Sequence, residues 1–267
     1  MRRLAFSIIL CLFSVPVIPQ SAESDAALLA KTRALYDAPF TRNLVSFDCA
    51  VQFDWKKHLV DTLGAIPANA LATTEHLQSI QHRVFVDRSS ATVSAIPKAP
   101  DFAGDQPAAQ LEQAFSAIVS QGLDAWLPFS TNVILPIGST KFDFKKLDTG
   151  YKLTMNGSGV DATLLLDAEL RLTSGVVQLP QDLRFTTEFT NGPDGYLLQS
   201  VRTGSTAGPG TGGEVAFAYR YQTLQGFQLP SDVTITPPTN EVWRVALTDC
   251  KAMSGVVLQV APTPSAR

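Results

Sequence analysis

From Thr140 onward apolar and polar residues alternate one by one, and this pattern constrains the fold more than any other feature of the chain. Phe142 and Phe144 alternate with Lys141, Asp143 and Lys145, and Tyr151, Leu153 and Met155 with Lys152 and Thr154. Leu164 and Leu166 share a parity with Ala168 and Leu170, and Phe185, Thr187 and Phe189 alternate with Arg184, Thr186 and Glu188. Val215, Phe217, Tyr219 and Tyr221 alternate with Ala216, Ala218, Arg220 and Gln222, and Trp243, Val245 and Leu247 with Arg244 and Ala246. Successive side chains of a strand point to opposite faces, so each run reads as a strand with one apolar and one wet side. Turn signals separate the runs: Asp148-Thr149-Gly150, Asn156-Gly157, Ser174-Gly175, Asn191-Gly192-Pro193-Asp194-Gly195 and Gly226. Together they predict an antiparallel meander. A sheet of this size must bury its apolar side by curling into a barrel or by taking a helical cover.

The first half of the chain supplies candidates for that cover. A helix is expected over 24–38, with Leu28, the stem of Lys31 and Leu35 on one side and Pro39 as its stop. Residues 45–53 alternate as a half-buried strand, and 54–64 read as a helix capped by Asp54 and ended by Gly64. A helix over 67–81 and one strand near 83–96 follow. After Pro97-Lys98-Ala99-Pro100, the segment 106–127 forms the clearest amphipathic helix, with Leu111, Phe115, Ile118 and Gly122 in one stripe beside Ala114, Val119 and Trp126. With no internal repeat and no domain boundary, the helices 24–38, 67–81 and 105–127 are expected to lie over the sheet of a single domain, 23–261, with 262–267 a disordered tail.

The N-terminus reads as an export signal over 1–22: Met1-Arg2-Arg3, an apolar run from Leu4 to Ile18, then Ser21-Ala22 as a cleavage site, with a cut after Ala26 as the alternative. Pro16 and Pro19 interrupt the run too early for a spanning helix, which needs about 20 apolar residues. Cys11 lies within this leader. The expectation is a periplasmic or secreted product with no spanning segment. Cys49 and Cys250 then remain, and an oxidising compartment favours one disulfide between them, two separate buried thiols being the alternative. Closing a loop of 201 residues would stabilise the fold by roughly 5 kcal/mol in the chain-entropy account.

Composition excludes several function classes. Hydrophobic residues make up 45% and charged residues 17%, which removes a disordered polyelectrolyte. Lys+Arg is 21 against Asp+Glu 24, so there is no basic excess for nucleic acid. Three histidines and three cysteines leave little for metal chemistry. His58, His76 and His82 fall in polar helical stretches and read as surface residues; His76 and His82 are spaced for different helix faces. Gly208-x-Gly210-x-x-Gly213 has dinucleotide-fingerprint spacing, but the strand expected over Glu214–Tyr221 follows it where a helix would be required, so it reads as a loop. Asp167 and Glu169 read as solvated turn residues. No catalytic residue, metal or cofactor is assigned.

The apolar face carries the remaining signal. Phe142, Phe144, Tyr151, Leu153, Met155, Leu164 and Leu166 are candidate lining residues. So are Phe185, Phe189, Phe217, Tyr219, Tyr221 and Trp243, while Leu111, Phe115 and Ile118 are candidate lid residues. Aromatics of this parity fill a packed core or, under a movable cover, line a cavity for an acyl chain.

The order of features resembles the LolA/LolB family of periplasmic lipoprotein carriers. The resemblance rests on the helix before the first strand, Phe47-Asp48-Cys49-Ala50-Val51, Tyr151-Lys152-Leu153 and Val160 to Leu172. Gly195-Tyr196-Leu197-Leu198 and Gly226-Phe227-Gln228-Leu229-Pro230-Ser231-Asp232-Val233 complete it. It implies an α+β fold: an antiparallel, strongly curved β-sheet forming an unclosed barrel, with a few helices as lid over an apolar cavity. Arg83, Arg184 and Arg220 are candidates for the family's lid-contacting arginine. The function it implies is non-catalytic binding of a lipid or acylated ligand, such as a lipoprotein. The alternatives are an envelope scaffold module that binds another protein, and a hydrolase with an unrecognised site.

Overall fold

Twelve strands join into one antiparallel sheet in the order β3-β2-β1-β12-β11-β10-β9-β8-β7-β6-β5-β4. The strands are β1 (Leu44–Gln52), β2 (Gln81–Asp87), β3 (Ala91–Ile96), β4 (Lys141–Leu147), β5 (Gly150–Asn156) and β6 (Asp161–Leu166). They continue with β7 (Leu172–Gln178), β8 (Leu183–Gly192), β9 (Gly195–Ser205), β10 (Val215–Leu224), β11 (Phe227–Thr236) and β12 (Trp243–Ser254). The helices are α1 (Asp25–Ala34), α2 (Trp55–Leu63), α3 (Leu71–Ser79), α4 (Gln106–Asp124) and the short α5 (Leu127–Ser130). This computed structural model describes residues 23–96, 102, 105–138, 140–157, 161–179, 182–205 and 213–255. The export segment 1–22, the connector 97–100 and the tail 262–267 lie outside them. So does most of the glycine loop, although β10 starts directly after it, as a strand and not a helix.

The expected class, an α+β fold with an unclosed antiparallel sheet under helices, is the one observed. β3 and β4 are the free edges. Register shifts at Asp48/Ala50, Arg220/Tyr221, Leu165/Leu166 and Glu188/Phe189 spread bulges across the sheet. Each bulge bends its strand and raises the local twist, which curls the sheet around its apolar side. The edges are blunted, as exposed edges must be. α4 packs along β3, and on α1 the Asp25 carboxylate accepts the Phe144 N–H of β4 at 3.2 Å.

Local signals set the small helices. Asp54 caps α2 by accepting the Lys57 N–H at 2.9 Å, and Gly64 ends it in the left-handed conformation. The first helix is shorter than expected and stops at Ala34, because Tyr36 leaves to bridge Tyr196 of β9. The single strand expected over 83–96 is two. Asp87 accepts from the N–H groups of Ser89 and Ser90 and closes a tight turn without glycine or proline. The Ser89 hydroxyl, which donates to the same carboxylate, and then these N–H groups hold the Asp87 carboxyl below the usual carboxylate range.

β1 and β12 come from opposite ends of the sequence yet pair side by side, and Cys49 and Cys250 are bonded across that seam. Cys49 is fully buried, and the Gln222 amide lies 3.2 Å from the Cys250 sulfur. The bond joins the third and fourth strands counted from the β3 edge and so ties together segments from the two ends of the domain. Cys49→Ser with Cys250→Ser is expected to lower stability in urea by about 2–5 kcal/mol. An unchanged unfolding midpoint would show that the crosslink does not hold the fold.

Candidate functional site

The curled sheet presents its apolar residues inward, and α4 lies across them. Contact is closest at Gly122, where a Cβ would sit 3.1 Å from side-chain carbons of Ile235 and Val233 on β11. Only a glycine lets the helix backbone approach that closely without displacing them. Two phenols then tie the helix end down. Tyr219 donates to the Gly122 carbonyl at 2.7 Å, satisfying a last-turn acceptor of α4. Tyr221 donates to the Leu198 carbonyl at 2.7 Å and accepts the Trp126 indole N–H at 3.1 Å. Burial pushes both phenols far above the usual tyrosine range, so they remain protonated donors.

Aromatic packing fills the space under the first half of α4. Phe115 packs with Phe53 (4.9 Å between ring centres) and Trp55 (5.3 Å), and Trp243 stacks on Phe53 at 5.4 Å. Beyond Gly122 the filling stops. Between the last turn of α4, α5 and strands β7–β10 lies a cavity of 380 Å³. Its inner wall is Val177, Leu183, Phe185, Val201 and Phe217, and its cover is Ala125, Pro128, Phe129 and Ile134. Gln121, Asp124 and Thr203 supply its polar atoms. Gly175 shapes the wall: a Cβ there would meet the Phe185 ring at 2.5 Å and Leu164 at 2.7 Å, so the missing side chain lets that ring lie flat against the sheet.

Of the residues expected to line a cavity, Phe185 and Phe217 line this one. Leu153, Met155, Leu164 and Leu166 are buried in the continuous core on β5 and β6. Phe142, Phe144 and Tyr151 are half-buried near the β4 edge, in edge-to-face contact with one another. Phe189 packs on Tyr36 at 5.0 Å and on Phe129 at 6.1 Å. Tyr219 and Tyr221 are lid ties, and Trp243 belongs to the aromatic filling. Phe115 is fully buried in that filling, with Leu111 and Ile118 half-buried along the same helix. Phe129, Ile134, Val177, Leu183 and Val201 are lining residues that sequence reasoning missed. The apolar run Trp126-Leu127-Pro128-Phe129 was the available signal.

Two expectations for polar residues need correction. His58 and His82 are buried, not surface residues, and His82 lies on β2, not on a helix. Each has found a carboxylate remote in sequence: His58 Nε2 is 2.8 Å from Glu241, and His82 Nε2 is 3.3 Å from Glu112 on α4. Burial pulls the His82 imidazole below the usual histidine range, against the opposing pull of Glu112. Asp167 and Glu169 do sit in a turn, where both pair with Arg171. Arg83 pairs with Asp48, and Arg184 and Arg220 are exposed on outward positions, so the hydrogen bonds tying down the end of α4 come from phenols. A cleft of 490 Å³ lined by Asp54, Arg220, Asp232 and Arg244 is larger than the cavity, but its charged walls do not suit hydrocarbon.

No group of His, Cys, Asp and Glu arranged to hold a metal occurs among the described residues, and no helix among them is long and apolar enough to cross a membrane. Comparison with known proteins gives no match: no family model, no curated protein and no solved structure is similar to the chain.

Two outcomes follow from the lid contacts. Tyr219→Phe leaves the Gly122 carbonyl without its phenol donor, with an expected loss of about 1–3 kcal/mol. Amide exchange over 119–126 should quicken, and an unchanged exchange rate would contradict the tie. For His82, a folded pKa below the unfolded one means that the unfolded chain binds the proton more readily. Stability should therefore fall as pH drops through and below about 6.5. Urea unfolding of His82→Gln should show a shallower decline between about pH 7.5 and about pH 5 than the parent. Parallel declines would exclude this histidine as a source.

Proposed function

We propose that the protein is a non-catalytic binding protein that holds a lipid or an acylated ligand by its hydrocarbon chain, in the cavity between α4–α5 and β7–β10, and acts outside the cytoplasm. The observation that carries this reading is the cavity itself. At 380 Å³ it lies within the range of about 300–1,000 Å³ in which small-molecule pockets fall. Its wall and cover are built from Phe, Val, Leu, Ile and Pro, with a few polar atoms. Each buried methylene contributes about 0.8 kcal/mol, so six would supply roughly 5 kcal/mol without any charged contact. The disulfide between Cys49 and Cys250 fits an oxidising compartment. Each buried histidine is engaged by a glutamate and packed on aromatic rings, a structural use that favours binding over catalysis.

The cavity is open to solvent on one side, and movement of α5 and the turn after it would widen the entry. Their ties include the Arg33 guanidinium, which donates to the Pro136 carbonyl, and Phe129, which packs on Phe185 and Phe189. α4 would remain tied at Tyr219 while the shorter element opens.

The test is native mass spectrometry of gently purified protein, together with displacement of a fluorescent acyl probe. The expected result is added lipid mass that organic extraction removes. Val177→Trp, which fills the cavity from its wall, should weaken probe binding at least tenfold while the circular dichroism spectrum is retained. A folded variant that binds the probe as tightly as the parent would move the site elsewhere. Ligand-free protein that binds no probe but captures a partner protein would favour the scaffold reading.

A further inference from the structure

We propose that the cavity selects chains whose head group carries no negative charge, and that Asp124 sets this preference. The inference rests on the acyl-chain reading above. A hydrocarbon chain seated against Phe185 and Phe217 leaves its polar end to meet the few polar groups on the cavity lining. These are Gln121 and Asp124 on the last turn of α4, with Thr203 on β9. Asp124 is exposed and fixed in place, because one of its oxygens accepts the Ala91 N–H at 2.7 Å. It also stands at the C-terminus of a 19-residue helix. The partial negative charge of the helix end adds there to that of the carboxylate.

No cationic side chain among the described lining residues offsets this charge. Among the described residues no lysine or arginine lines the cavity. Arg184 and Arg202 lie on the flanking strands, but they alternate with the lining residues Leu183, Phe185, Val201 and Thr203 and so point to the opposite face. Arg33 and Arg88 are committed to backbone carbonyls, of Pro136 and Phe40. Recognition of a carboxylate or phosphate calls for guanidinium, ammonium or converging N–H donors. The lining instead offers one carboxylate, one amide and one hydroxyl, without a cation. It suits a head group that donates hydrogen bonds or carries positive charge: a glyceryl ester, an amide-linked acyl chain or an alkylammonium. A free fatty acid would bring its own carboxylate beside Asp124.

The test compares three ligands with one dodecyl chain length: dodecanoate, 1-monolauroylglycerol and dodecylammonium, each displacing an uncharged fluorescent probe at low salt. Dodecanoate should bind more weakly than the other two, by roughly two- to five-fold, and added salt should narrow the gap. Asp124→Asn keeps an acceptor for Ala91 and should raise dodecanoate affinity toward that of the glyceryl ester, whereas Asp124→Glu should keep the discrimination. If dodecanoate binds the parent as well as the glyceryl ester does, or if Asp124→Asn leaves its affinity unchanged, the charge preference is wrong and the acyl-chain reading stands. If none of the three displaces the probe, the acyl-chain reading fails and takes this inference with it.

Discussion

One face of a twelve-stranded sheet is apolar, and water must be kept off it; the rest of the structure answers that constraint. Curling alone does not suffice, because β3 and β4 do not meet. The helices complete the burial, and they do so unevenly. Under the first half of α4, Phe53, Trp55, Phe115 and Trp243 interlock as a packed core. Past Gly122 the cover passes to α5 and a turn, where Phe129 meets the floor edge-to-face at Phe185 and space is left beside Phe217. The result is part core and part cavity within a single apolar surface.

The two parts differ in how firmly they are held. The core side has stacked rings and the buried His58 and His82, each paired with a half-buried glutamate. The cavity side has Tyr219 and Tyr221 at its border, then α5 resting on Phe185 and Phe189 through Phe129. A cover that hinges just past Tyr219 would expose the cavity and leave the core shut. Under the proposed binding function, that division would let the protein take up and release a greasy ligand without unfolding.

The sequence shows the sheet clearly and the cavity poorly, for physical reasons. Strand alternation is local, so the inward parity of Phe185, Phe217 and Trp243 could be read directly. The caps of α2 at Asp54 and Gly64 are also local. Which inward residues stay uncovered is not local: it depends on how α4 crosses β11, which the Gly122 contact decides. Hence Val177, Val201, Phe129 and Ile134 went unnoticed, while Leu153 and Leu164, of the same chemical type, proved to be core. The burial of His58 and His82 is not legible in the sequence, because their glutamate partners and aromatic neighbours come from distant segments. The LolA/LolB likeness proposed from the motifs and their order has no counterpart in the comparisons with known proteins; it motivates the proposed lipid reading but adds no residue to the cavity.

The most direct measurement of the central claim is crystallographic: anomalous diffraction from protein complexed with an alkyl glycerol brominated at the chain terminus. The account predicts a bromine peak inside the cavity, between Phe129 and the rings of Phe185 and Phe217. A peak only at the charged cleft of Arg220 and Arg244, or a cavity that collapses onto its own side chains and excludes the chain, would contradict it.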